Sequence, residues 1–292
     1  MGESAKQTNP SAADDGSAAA LAPARKERSK TARIPESRHA AAALIIGHDH
    51  ARHIAATVRA ARAIPGVDLV LVVDDASTDN TQDLARKAGA VVVRHSHNRG
   101  RSASIETGAS VIAMRDEPGA IPRAILLLDG SLGNYAIGAA PLVPAVTESM
   151  CDVAIGLTEA QRTANGPSAR AARKAIENAT NWTPEQPLNR IRCVTRPALE
   201  AAMPLARGAG LEVAMTLDVI AAGFLVTEVE CEIRHKPHTG DHHSPGTRGT
   251  QYRDVMLAIS NRRLRSGARA ARRALTSRIP RRDAKGPAEA EA

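Results

Sequence analysis

Two carboxylates stand side by side at Asp74 and Asp75, directly after the apolar run at residues 69–73. Ala76, Ser77, Thr78 and Asp79 follow, then a helix-like segment at 80–88 that stops at Gly89. A short continuous apolar run bounded by turn residues has the pattern of a strand buried on both faces. In open α/β sheets ligands sit outside the carboxyl ends of such strands. Paired acids there can accept hydrogen bonds from a base or a ribose. The same stretch carries the Ser, Thr and Asp types that cap helices, so a purely local capping role fits Asp75, Ser77 and Asp79 as well. A second run, at 124–128, ends the same way at Asp129-Gly130-Ser131.

These acids need a scaffold, and the chain alternates accordingly. Strands are expected at 41–46, 69–73, 91–94, 124–128 and 153–156, with helices at 51–63, 78–88 and 101–114 between them. Residues 137–150 read as partly helical despite Pro141 and Pro144. The alternation predicts an α/β fold, a mostly parallel sheet with right-handed crossovers. The second half is less regular. Helices are expected at 168–180 and 211–222, an alternating strand at 225–233, and a loop at 234–249 holding four histidines. A basic helix follows over 250–279. Residues 1–39 are Ala-, Ser-, Asp-, Lys- and Arg-rich without periodicity and read as disordered. The folded domain is expected over 40–258, with a basic helix and tail at 259–292.

Composition narrows the function classes. Phe224, Trp182, Tyr135 and Tyr252 are the only aromatics, so the core must be aliphatic. Cys151, Cys193 and Cys231 are scattered with no CxxC pair, which argues against a disulfide framework or a zinc site. No apolar run approaches the ~18 residues of a membrane span. The first residues lack a signal peptide's apolar core. A cytoplasmic location is the expectation. The formal charge of +8 is concentrated late, with nine arginines and no acid between Arg262 and Arg282. Such a tail suits a solvated end or a peripheral helix at an anionic membrane face. Nucleic acid is a weaker fit, because no aromatics interleave the basic residues.

In order along the chain come HIAATVRAARAIPGVD, VVDDASTDNT, VVVRHSHNRGRSASIETG, LLLDGSLG, GLEVAMTLD, EVECEIRHKPHTG and RGTQYRD. This set, over about residues 41–258, resembles family 2 nucleotide-sugar glycosyltransferases of the GT-A fold. It is most similar to actinobacterial glucosyl-3-phosphoglycerate synthases and polyprenyl-phosphate glucosyltransferases. The resemblance implies a Rossmann-like sheet with helices on both faces. It also implies transfer of a hexose from a nucleoside diphosphate sugar to a small or lipid-linked acceptor bearing a phosphate. A Mg2+ or Mn2+ ion would neutralise the diphosphate, held by oxygen-rich ligands.

The resemblance assigns residues as well. Asp129 matches the first acid of the family's D-x-D motif, and Ser131 replaces the second. His235 matches a histidine that can complete the metal shell. Asp74 and Asp75 align with acids that contact a uracil-type base. Arg94 opens the loop flanking the nucleotide, and Arg101 stands where lysine is common. Glu212 and Asp218 lie on a helix near the acceptor, where inverting members place a general base. The chain also departs from the family. His48-Asp49-His50 replaces a turn that normally carries Tyr and Glu. Asn189-Arg190-Ile191-Arg192 stands in for a Gly-Gln-Arg segment, leaving Arg190 or Arg192 to meet a phosphate. With Ser131 these departures open an alternative, a weak or inactive GT-A domain that binds nucleotide or acts as a scaffold.

Overall fold

A computed structural model of the chain describes residues 40–159, 166–233 and 249–262. The expectations for the segment 1–39, for the loop holding His235 and for the tail beyond Arg262 fall outside these residues.

The expected alternation is realised almost element for element. It runs β1 (Ala41–Gly47), α1 (Ile54–Arg62), β2 (Val67–Asp74), α2 (Thr81–Lys87), β3 (Val91–Arg94), α3 (Gly100–Ala113) and β4 (Ala124–Asp129). A 3-10 segment, Gly133–Ala139, leads into α4 (Leu142–Thr147) and β5 (Val153–Thr158). Then come α5 (Pro167–Thr180), β6 (Arg192–Val194), α6 (Arg196–Ala201), α7 (Leu211–Ala221) and β7 (Val226–Cys231). Residues 249–262 form a last described helix, α8.

The seven strands make one sheet in the order β3-β2-β1-β4-β6-β5-β7. Among these described strands only β6 runs antiparallel, against both β4 and β5. β6 and α6 are not visible in the sequence pattern, because Arg192 interrupts the short apolar run around it. Both faces of the sheet are covered. Ala41, Ala43 and Ile45 of β1 pack with α1, α2 and α4 on one side. Ala42, Leu44 and Ile46 pack with α3, α6 and α7 on the other. Period-two alternation of apolar residues on both faces is what a doubly covered strand requires. Gly108 lets α3 lie close on β1, since a Cβ there would come within 2.3 Å of the Leu44 side chain. α8 packs Val255, Ala258 and Ile259 against α5 and α7.

Strand order locates the site. The chain winds outward from β1 through β2 to β3, then returns to place β4 on the other side of β1. That reversal opens a crevice between the carboxyl ends of β1 and β4, the usual ligand position in such sheets. Register brings the strand ends level: Ile46 pairs Asp129, Gly47 pairs Asp74, and Asp74 pairs Arg94.

Candidate functional site

Asp129 ends β4 in the crevice, almost wholly buried. Ser131 turns back on it, donating from its hydroxyl to Oδ1 at 2.7 Å and from its backbone N–H at 3.1 Å. The other oxygen, Oδ2, faces Nη1 of Arg190 at 3.4 Å. Burial pushes the Asp129 carboxyl up, but the guanidinium groups of Arg190 and Arg101 outweigh it and hold the group below the ordinary carboxylate value. Asp129 is therefore an anion at neutral pH.

Three more elements converge on it. α3 delivers Arg101 from its first turn, and α7 delivers Glu212 from its own. The segment before β6 delivers Arg190. Nε of Arg101 lies 3.5 Å from Oε1 of Glu212, and Nε of Arg190 lies 4.0 Å from the same atom. Arg101 also donates through Nη2 to the Arg190 carbonyl at 2.8 Å. Burial, followed by repulsion from Arg190, lowers the Arg101 guanidinium to about 10. Its Nε and Nη1 are buried without a hydrogen-bond partner among the described residues. Buried unsatisfied donors cost free energy, and an anion entering the crevice would satisfy them.

The acids after β2 do different work. Asp74 is fully buried and caps the turn, accepting from the backbone N–H (3.1 Å) and the hydroxyl of Ser77. Half-exposed Arg94 lies 3.5 Å from its Oδ2 and donates to the Ser77 carbonyl at 2.8 Å. Asp75 accepts from the N–H groups of Arg99 (2.9 Å) and Gly100 (2.8 Å), and pairs with Nδ1 of His95 at 2.7 Å. Burial raises its carboxyl, and these bonds outweigh burial and leave it below the ordinary value. Asp75 thus ties the end of β2 to the loop that starts α3, and so holds Arg101 in place.

Two of the expected residues lie away from the Asp129 cluster. Arg192 does not reach the crevice. It is among the largest fully buried side chains. Its guanidinium is used up by the carbonyls of Asn189 (2.8 Å), Pro187 (3.0 Å) and Glu212 (3.0 Å) and by the Thr216 hydroxyl (2.9 Å). Burial lowers it to about 10. It fastens the Arg190 segment to the first turn of α7, which carries Glu212. Asp218 is also out of the site. At six residues from Glu212 it faces another side of α7, where Arg262 of α8 donates to it at 2.9 and 2.7 Å. His235 lies outside the described residues.

One residue of the site was not legible as such. His50, in the turn after β1, places Nε2 3.6 Å from Oδ1 of Asp129. In sequence it reads only as a departure from a family turn. Adjacency of β1 and β4 is the signal that brings it in, and the sequence does not state that adjacency. His48 of the same turn binds the Asp75 carbonyl through Nδ1 at 2.8 Å. Asp49 takes the N–H of Thr78 at 2.7 Å. The turns after β1 and β2 are thereby laced together. Among the described residues no three His, Cys, Asp or Glu side chains gather as a metal cluster. The available donors are the Asp129 carboxylate, the Ser131 hydroxyl and the His50 imidazole. A cation here would have two or three protein donors and would draw the rest from substrate phosphates or water. That arrangement is common for Mg2+, so the residues present fit such an ion.

Residues 43–113 match the family model described as Glycosyl transferase family 2. Among solved structures, the chain is similar to glucosyl-3-phosphoglycerate synthase from Mycobacterium tuberculosis in complex with Mg2+ and uridine diphosphate. Identity is 16%, the TM-score is 0.60, and 76% of this chain and 80% of that chain are covered. The complex of that synthase with Mn2+, uridine diphosphate and glucosyl-3-phosphoglycerate gives 18%, 0.59, 77% and 80%. A mycobacterial protein gives 20%, 0.57, 76% and 73%. At these identities the likeness is one of fold, the GT-A architecture. No curated protein matches the sequence.

Proposed function

We propose that this chain, which carries a family 2 glycosyl transferase segment at residues 43–113, transfers a hexose from a nucleoside diphosphate sugar to an acceptor bearing a phosphate. One observation carries the reading. An anionic carboxylate, Asp129, stands in the topological crevice beside the guanidinium groups of Arg101 and Arg190, and Arg101 holds buried donors there without a hydrogen-bond partner among the described residues. A diphosphate is the anion that needs both features, a cation holder on one side and fixed positive charge on the other. Among the similar synthase structures, some hold Mg2+ or Mn2+ with uridine diphosphate, and others hold phosphoglyceric acid.

On this reading Asp74, Asp75 and Arg94 shape the rim where the base lies, with Asp75 acting mainly through the loop it holds. Arg101 and Arg190 meet the diphosphate and stabilise charge on the departing nucleotide. Asp129 and Ser131, with His235 from the segment outside the described residues, would hold a divalent ion. When bound, that ion neutralises the diphosphate and the leaving group. Glu212 is the other carboxylate of the cluster and is ion-paired at distances longer than a hydrogen bond. It remains able to accept the proton of an acceptor hydroxyl. The tail arginines would hold the molecule at an anionic lipid surface if the acceptor is lipid-linked. A small phosphorylated acceptor, such as the one seen with the similar synthase, needs no such contact.

Thermal-shift and product-formation assays across uridine, guanosine and thymidine diphosphate sugars, with and without Mn2+, test the proposal. Binding to the folded state raises the melting point by mass action. At least one sugar nucleotide should raise it and yield a glycosylated phosphate acceptor. No shift with any of them overturns the reading.

A further inference from the structure

We propose that His50 is a further ligand of the divalent cation, reaching in from the turn after β1 to supplement the weak, neutral Ser131 donor after β4, and that its imidazole gives the site a preference for Mn2+ over Mg2+. The inference rests on the reading of the crevice as a sugar-nucleotide site. It concerns a residue outside the D-x-D loop.

The geometry around Asp129 is asymmetric. Arg190 stands at Oδ2, while Ser131 and His50 stand at Oδ1. The 3.6 Å between His50 Nε2 and Oδ1 is too long for a hydrogen bond. Two donors each about 2.0–2.2 Å from a shared ion stand roughly 3–4 Å apart. The pair is thus held at the separation that one bound ion spans. The Ser131 hydroxyl lies beside the same oxygen.

His50 is built into this position. Its backbone N–H donates to the Thr81 hydroxyl at 2.7 Å, and its carbonyl accepts from His53 and Ile54 at 2.9 Å each. Its ring packs over Gly130, where a Cβ would meet His50 Cδ2 at 2.8 Å, the Ile46 carbonyl oxygen at 3.1 Å and Gly47 Cα at 3.2 Å. No residue with a side chain fits at 130 while the ring stays there.

The donor set decides the chemistry. A D-x-D pair offers oxygen alone, which suits Mg2+ and Mn2+ alike. One carboxylate with one imidazole is a mixed oxygen–nitrogen set, and a nitrogen donor is a poorer partner for the hard Mg2+ ion than for a first-row divalent ion, of which Mn2+ is the hardest. The substitution of serine for the second acid and the histidine after β1 are then two halves of one change.

The test uses the full chain with uridine diphosphate and Mn2+ as probes. Uridine diphosphate affinity is measured by calorimetry in chelator, then Mn2+ affinity with the nucleotide saturating. His50→Ala should weaken Mn2+ binding by at least about tenfold and leave metal-free nucleotide affinity nearly unchanged. Adding Ser131→Asp to His50→Ala should recover metal binding and remove the preference for Mn2+. In a His235→Ala background, pulsed electron paramagnetic resonance of bound Mn2+ should show coupling to a nitrogen nucleus, and that coupling should vanish when His50→Ala is added. If the nucleotide binds but His50→Ala holds Mn2+ as tightly as the parent, or the nitrogen coupling persists, the ligand assignment falls alone. If the nucleotide does not bind at all, the sugar-nucleotide reading falls and the assignment falls with it.

Discussion

Glu212 and Asp75 show how two acids of one chain acquire different tasks. Glu212 sits between two guanidinium groups and faces the crevice. Glu212→Gln keeps the shape and removes the proposed base, so kcat should drop by about 10²–10⁴ with uridine diphosphate affinity little changed. Activity retained within a factor of ten would take the proton-accepting role from Glu212. Asp75 is an organiser, and its carboxyl is lowered in the folded chain relative to 3.8. A lowered folded value means that its stabilisation is complete above the unfolded value and fades as pH falls through the folded one. The Asp75→Asn variant should be less stable at pH 7 and should lose less stability than the parent between about pH 5 and 3. Parallel stability–pH curves for the two proteins would contradict this. His50 belongs to the same scale. Its residue type was visible, but its partner was not.

At the scale of elements, the site depends on how β6 and α7 are joined. Arg192 of β6 binds backbone carbonyls on both sides, and among the described residues no carboxylate hydrogen-bonds to its guanidinium. Truncating it would remove four hydrogen bonds at once and strip the buried Asn189 and Pro187 carbonyls of this donor, while Thr216 and the Glu212 carbonyl keep their bond to each other. Arg192→Ala should therefore cost on the order of 3 kcal/mol, a fall of roughly 6–12 °C in melting point. A drop of less than about 2 °C would show that the segment before β6 is held by something else. Gly130 makes the same point from the other side of the crevice. A Cβ there strikes the Ile46 carbonyl and Gly47 Cα of β1 as well as the His50 ring. Gly130→Ala should cost about 1–3 kcal/mol of overpacking and weaken Mn2+ binding. Unaltered metal affinity in a stable Gly130→Ala protein would argue that β1 and β4 can part without harm.

At the scale of the whole molecule, α8 belongs to the folded body. Asp218 holds Arg262, and Val255, Ala258 and Ile259 cover α5 and α7. If the tail holds the protein at an anionic surface, removing residues 263–292 should leave the melting point and nucleotide binding intact while abolishing co-sedimentation with anionic liposomes at low salt, since an arginine near such a surface is worth about 1 kcal/mol. Removing everything from 249 onward should instead lower the melting point sharply by uncovering Val213 and Ala214. Equal sedimentation of the full and shorter chains would leave the tail as a solvated end. The layout of the first five strands, the acids at the ends of β2 and β4, and the helix carrying Glu212 were all legible in the sequence. Apolar runs and turn residues are local patterns, and each strand end is set by its own neighbours along the chain. Which acid faces the crevice was not legible. Asp74 and Asp75 read alike, yet one caps a turn and the other anchors a loop. Arg190 and Arg192 differ by two positions, yet one lines the site and the other is wholly internal. Strand order decided these outcomes. Only the placement of β4 beside β1, and of β6 between β4 and β5, sets His50 against Asp129 and turns Arg192 inward. Such pairings join residues far apart in the chain, and local periodicity carries no record of them.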